Sequence, residues 1–422
     1  MNRMPFPRRE LPPLARIKQE LPKEHVDDVR GEVRQKLLAA GLRDRLKPGA
    51  RIAITAGSRG MGGFVELVSE IVETIKMAGG DPFIIPAMGS HGGATADGQV
   101  EILKRLGITE PSVRAPIHAT MKTRALGTSK TGAIAHLDDL AAQADGIIVL
   151  GRTKTHPENK EGVASGLLKM VTVGLGKQVG AQEAHTHGLW PSVRAMPRLT
   201  IEKAPIVFGI AVVENAFRQP VKIEVVPPTY EAFREADERL LEQAKPHVAT
   251  VPFQQLDVLV VDELGKNVSG TGMDLNVIGN WRMAGGERNP DFRRIVVLSL
   301  TQESLGNGLG IGLADFTTRR FVDEYDETST YVNLLTATEP GVMNTFEGPL
   351  PLALPSDREA IEVALFSSLA SAQPRVCRIK NTDCLDEFWI TEALLPEVEQ
   401  NNKLSVIDKL APMEFNSEGN LF

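Results

Sequence analysis

"RIAITAGSRGMGGFVELVSEIVETIKMAGG" (51–80) and the stretch after it, "DPFIIPAMGSHGGATADGQVEILKRLGI" (81–108), decide the fold class. Each opens with a short apolar run, passes through a glycine-rich turn and continues with apolar residues at helical spacing. Tandem strand–turn–helix units indicate a parallel sheet, because parallel neighbours need a crossover and a helix is the usual one. Thr95 or Asp97 is placed to cap the second helix and Gly107 to end it. "DGIIVLGRTKTH" (145–156) supplies a third strand running into a polar loop, and "APIVFGIAVVEN" (204–215) a fourth.

Upstream, residues 1–50 read as an extended proline-rich arm, a helix at "VDDVRGEVRQKLLAA" (26–40) and a turn at "KPG". Downstream, the helix "TYEAFREADERLLEQAKPHV" (229–248) precedes "LDVLVVDELGKNVSG" (256–270), again a strand followed by a glycine-containing polar loop. The expected architecture is therefore α/β, with two α/β domains and largely parallel sheets. Residues 1–254 form an N-terminal domain that includes the arm, and 255–422 a C-terminal domain whose last residues pack back on the first. The active site is expected in the cleft between the domains, since ligands of such sheets sit beyond the carboxyl ends of the strands.

A chain of 422 residues with 42% hydrophobic and 24% charged residues can bury a large core. The formal charge of -7 argues against general affinity for nucleic acid, which needs basic patches to neutralise phosphates. It does not oppose a small anionic substrate, because the local charge of a cleft can differ in sign from the total. Two cysteines, Cys377 and Cys384, make neither a disulfide framework nor a thiolate metal site, which suits a reducing compartment. No apolar run reaches signal-peptide or membrane-spanning length, so the expected location is the cytoplasm.

Four loops follow buried strands: "TAGSRGMGG" (55–63), "AMGSHGGAT" (87–95), "GRTKTHPENKEG" (151–162) and "ELGKNVSGTGMD" (263–274). A glycine-rich turn that enters a helix can present backbone N–H groups to an anion. Neither of the first two completes a GxGxxG or GxxxxGK[ST] pattern, so a standard dinucleotide or P-loop site has little support. His91 and His156 stand at strand exits and could work as a general acid/base pair, since imidazole titrates near neutrality. Arg59 could grip a carboxylate with a bidentate fork and Lys266 as a point charge, whereas Lys154, Lys160 and Lys177 also read as solvated charges.

The segment "SGLLKMVTVGLGKQVGAQEAHTHG" (165–188) holds Lys169 in a glycine-bounded apolar run. Burial would lower its pKa and make the amine a nucleophile or attachment point; a lysine snorkelling from an amphipathic helix is the alternative. His185 and His187 could be metal ligands for Zn, Ni, Cu or Fe, although a pair at this spacing is a weaker signal than HExxH.

With these residues in view, the chain resembles the nickel-dependent lactate racemase family, across about residues 45–280. That family uses a nickel-pincer nucleotide, bound through a thioamide to a lysine, with a nickel-binding histidine sixteen residues later. Lys169 and His185 have that separation here. The resemblance assigns Lys169, Ser165, Gly166 and Arg59 to the cofactor and His185 to nickel. It makes His91 and His156 the catalytic histidines and Arg59 and Lys266 the substrate contacts; Lys177 and His187 fall to supporting roles. The implied reaction inverts C2 of a 2-hydroxy acid by proton-coupled hydride transfer, and the cofactor-making enzymes are implied as transient partners. The first loop departs from the family's Asp-x-Thr-Arg-Pro pattern, reading "AGSRGM", and "GLLK" replaces "GGRK". The identity of the acid is therefore open, with lactate and longer or more anionic acids among the choices. Two other classes also stay open: a cofactor-free or zinc-dependent epimerase or lyase, and a non-catalytic metabolite-binding module.

Overall fold

Strands that are apolar throughout can be buried on both faces, and such strands build the centre of each of two sheets. In a computed structural model, residues 10–155, 165–337, 347–370 and 372–421 are described. Contacts divide the chain into two units. One comprises Met1–Leu21, Ala249–Tyr331 and Thr345–Phe422, the other Pro22–Val248 and Val332–Asn344.

The strands are β1 (Leu14–Gln19), β2 (Arg51–Ala56), β3 (Asp81–Pro86), β4 (Thr123–Thr128), β5 (Ile134–Asp138), β6 (Gly146–Thr153), β7 (Ile206–Glu214) and β8 (Pro220–Val226). They continue with β9 (Gln255–Leu264), β10 (Asp291–Leu300), β11 (Phe316–Thr318), β12 (Leu352–Leu354), β13 (Val376–Asn381), β14 (Cys384–Ile390) and β15 (Leu404–Ala411).

The Pro22–Val248 unit has a five-stranded sheet in the order β3-β2-β6-β7-β8, with β4 and β5 paired apart from it as a hairpin. Pairing is parallel from β3 through β7, and only β8 runs antiparallel to its neighbour. The carboxyl ends of β2, β3, β6 and β7 therefore lie along one edge. Helices cover both faces. The helix Phe64–Met77 buries Phe64, Leu67, Val68, Ile71, Val72 and Ile75, spaced at 3 and 4 residues, against one face. Tyr230–Ala244 turns Phe233, Ala236 and Leu240 to the other. The helix Ala96–Arg105 begins where the cap signal put it: the Thr95 hydroxyl accepts from Gly98 N at 3.1 Å, a cap that contributes about 1 kcal/mol.

The other unit has an eight-stranded sheet, β12-β11-β10-β9-β13-β14-β1-β15, parallel from β12 to β13 and antiparallel beyond. The expected contiguous boundary at 254/255 is modified at both ends. The arm assigned to the first domain contains β1, whose residues pair with β14 and β15. At the other end of the chain, Leu421 N donates to Asp357 Oδ2 at 2.9 Å within their own unit. Among the described residues, no helix is long and apolar enough to cross a membrane.

Candidate functional site

A pocket opens at the carboxyl edge of the five-stranded sheet, where the loops after β2, β3 and β6 meet. Its polar lining is Ser58, Arg59, His91, Arg152, Ser165 and Lys169. The apolar lining includes Met61, Phe64, Met88, Leu150, Met170 and Val173. The space between its walls, open solvent at the mouth included, is about 760 Å³. Among the described residues the lining carries two guanidinium groups and an ammonium group and no carboxylate. Such a wall attracts an anion, and Arg can hold a carboxylate or phosphate through two parallel bonds.

Arg59 follows β2 by three residues. Arg152 lies near the end of β6 and is fixed from behind, with Nη1 2.8 Å from Glu214 Oε2. The Glu214 side chain is only 7% exposed and does not line the pocket, so it orients the guanidinium without filling the site with negative charge.

His91 stands in a loop of unusual backbone. Gly89, Gly92, Gly93 and Ala94 all have positive φ. At Gly92 glycine is required twice over, since an added Cβ would also fall 2.5 Å from Gly98 C. The loop presses on the Lys169 segment: a Cβ at Gly89 would lie 3.1 Å from Val173 Cγ1.

Lys169 comes from the chain that returns after β6. Ser165 N donates to Lys154 O at 3.3 Å, which brings the returning chain to the strand it left. One helical turn, Leu167–Lys169, leads into a wide π-type turn, Met170–Gly174. Asp237, from the helix Tyr230–Ala244, clamps the start of this turn, its carboxylate accepting from Leu167 N at 2.8 Å and Leu168 N at 2.9 Å. Burial pushes the Asp237 pKa up to about 7, against the opposing pull of those two N–H donors. Gly166 is glycine for space rather than conformation, because a Cβ there would meet Asp237 Oδ1 at 2.3 Å. Held this way, Lys169 is half-buried, lines the pocket and sets its Nζ 5.3 Å from the centre of the Trp190 ring.

The pocket thus brings together Arg59, His91, Ser165, Gly166 and Lys169 among the residues expected from sequence. His185 is not in its lining. It sits half-buried in the last turn of the helix Lys177–Thr186, five residues before Trp190. His187 bonds locally, with Nδ1 3.0 Å from Glu183 O. His156 lies outside the described residues. Lys266 belongs to the other unit, where its backbone N donates to Ser304 Oγ at 2.8 Å and its Nζ donates to Gly270 O. Among the described residues, no three His, Cys, Asp or Glu side chains gather as a group that could hold an ion.

Two residues that shape the pocket escape sequence reasoning. Arg152 was visible beside Lys154 at a strand exit but had no assigned task. Asp237 carried a signal: it shares the apolar face of its helix with Phe233, Leu240 and Leu241, where a carboxylate is out of place unless something receives it. No protein-family model matches the chain, and no curated protein matches it.

Proposed function

We propose that the chain is a racemase or epimerase that inverts C2 of a 2-hydroxy acid, with a nickel-pincer nucleotide carried on Lys169. The observation that carries this reading is the convergence of Arg59, His91 and Lys169 on one anion-attracting pocket at the sheet's carboxyl edge. The residues present fit such a group. Ser165 and Gly166 flank the approach to the lysine, and Arg59 and Arg152 supply charge for a phosphate or carboxylate.

When bound, the group supplies a hydride acceptor and donor, which no side chain can be. The protein's own residues do the rest. Lys169 would be the tether, and the nickel contact falls to His185 on the sequence resemblance alone, since His185 lies outside the pocket lining. Arg59 draws the substrate carboxylate and fixes its orientation. His91 takes the hydroxyl proton and returns it. Inversion needs a second base on the opposite side of the carbon, a role that falls to His156 on the sequence resemblance, as does a carboxylate contact for Lys266. The apolar wall of Met61, Phe64 and Met88 excludes water, which strengthens each polar contact inside.

The reading is tested by coexpression with enzymes that make the cofactor. Intact-protein mass should show the adduct on the wild type and not on Lys169→Ala. The loaded protein should epimerise a 2-hydroxy acid, and His91→Ala should lower kcat by about 10²–10⁴. An unmodified protein that epimerises the acid equally well would overturn the tether and favour a cofactor-free or zinc-dependent enzyme.

A further inference from the structure

Lys177 looks like a spare cation in the sequence, yet its side chain is fully buried. It ion-pairs with Asp138 at 3.0 Å and donates to Pro86 O, the last residue of β3, and to Gln99 Oε1 at 3.2 Å. Gln99, also fully buried, spends its other end on the His91 loop, with Nε2 donating to Gly89 O at 2.9 Å and His91 O at 3.3 Å.

The orientation of the Gln99 amide follows from chemistry. An ammonium only donates and a carbonyl only accepts, so the amide oxygen must face Lys177 and its NH₂ the loop. The loop needs such support at Ala94, since a non-glycine residue at φ 54° persists only where its surroundings over-determine it. Lys177 opens the same helix that carries His185 in its last turn.

We propose that Lys177 and Gln99 form a positioning relay that sets the backbone of the His91 loop from the segment bearing Lys169 and His185. Asp138 anchors the far end: its Oδ1 accepts from Leu140 N at 2.8 Å and Ala141 N at 3.0 Å, leaving Oδ2 for the lysine. The relay's three side chains, Asp138, Lys177 and Gln99, have no solvent exposure, which strengthens the bonds between them. A shift of the helix Lys177–Thr186 then moves the loop that presents His91. The relay stands on these contacts alone; only the task of His91 rests on the racemase reading.

The test uses the full chain without cofactor, so its failure is separable from failure of the proposed reaction. Gln99→Met removes both ends of the bridge, whereas Gln99→Glu keeps an acceptor for Lys177 and loses the two donors to the loop. Both variants should speed amide hydrogen exchange at residues 89–94 by about tenfold or more, the order set by losing two buried hydrogen bonds. If Gln99→Met does not fold, Gln99→Glu decides. Unchanged exchange in the loop, protection retained in Gln99→Glu, or acceleration spread evenly over all amides overturns the relay.

Discussion

Lys169 and Lys177 lie eight residues apart in one segment, and their surroundings give them opposite chemistry. Lys169 is half-buried, lines a pocket and approaches the face of Trp190. Lys177 is enclosed, and its ammonium engages structural partners: a carboxylate, a carbonyl and an amide oxygen. Burial draws the Lys177 pKa below the usual lysine range, while Asp138 pulls it back up. A lowered pKa alone would mark Lys177 as the reactive amine. Geometry reverses that conclusion, because an amine with no access to a pocket has nothing to react with. Lys177 also occupies the left-handed region, φ 55°, a strain of about 1–3 kcal/mol that its buried partners sustain.

The comparison breaks most visibly on stability. Lys177→Met should cost about 3–5 kcal/mol by leaving the Asp138 carboxylate buried without its counterion. Lys169→Met should cost no more than about 1 kcal/mol, the scale of a cation–π contact. Urea unfolding of the two variants side by side checks this, and equal losses would erase the distinction. A smaller effect sharpens the placement of Lys169. Gly166→Ala should destabilise by about 1–3 kcal/mol through overpacking against Asp237, with the Trp190 fluorescence shifting as the lysine-bearing turn is displaced.

A further test concerns pH. The folded-state pKa of Asp237, about 7, lies above its unfolded value of 3.8. The folded protein therefore binds the extra proton, and the stability linked to it is full below the unfolded pKa and lost as pH rises towards 7. Asp237→Asn cannot titrate there. The stability of the wild type relative to this variant should fall between pH 4 and pH 7 in denaturant titrations; a rise would mean that the two backbone donors outweigh burial.

The five-stranded sheet was legible in advance because strands buried on both faces read as apolar runs, and glycine-rich turns mark their exits. Arg59 and His91 were legible for the same reason: they stand in those turns, where a parallel sheet presents its ligands. Gln99 and Asp237 were not. Each sits at a helical position that periodicity assigns to the core, and each is made tolerable by partners far along the chain, Lys177 for one and the Leu167 and Leu168 amides for the other. Local patterning contains no record of such pairings. β1 escaped similarly: "LARIKQ" reads as extended in a proline-rich arm, and nothing nearby says that its neighbours are β14 and β15.

That pairing has a consequence for the order in which the molecule is made. β1 emerges from the ribosome early, but both strands that flank it lie beyond residue 383. The intervening Pro22–Val248 chain has its own complete sheet and can fold as it is synthesised. The nascent chain must meanwhile hold Leu14–Gln19 as a strand with both edges open, until almost the whole protein has followed. Exposed strand edges seek partners, so truncation before β14 should leave a product prone to aggregate through its first strand, although its later-emerging sheet is sound.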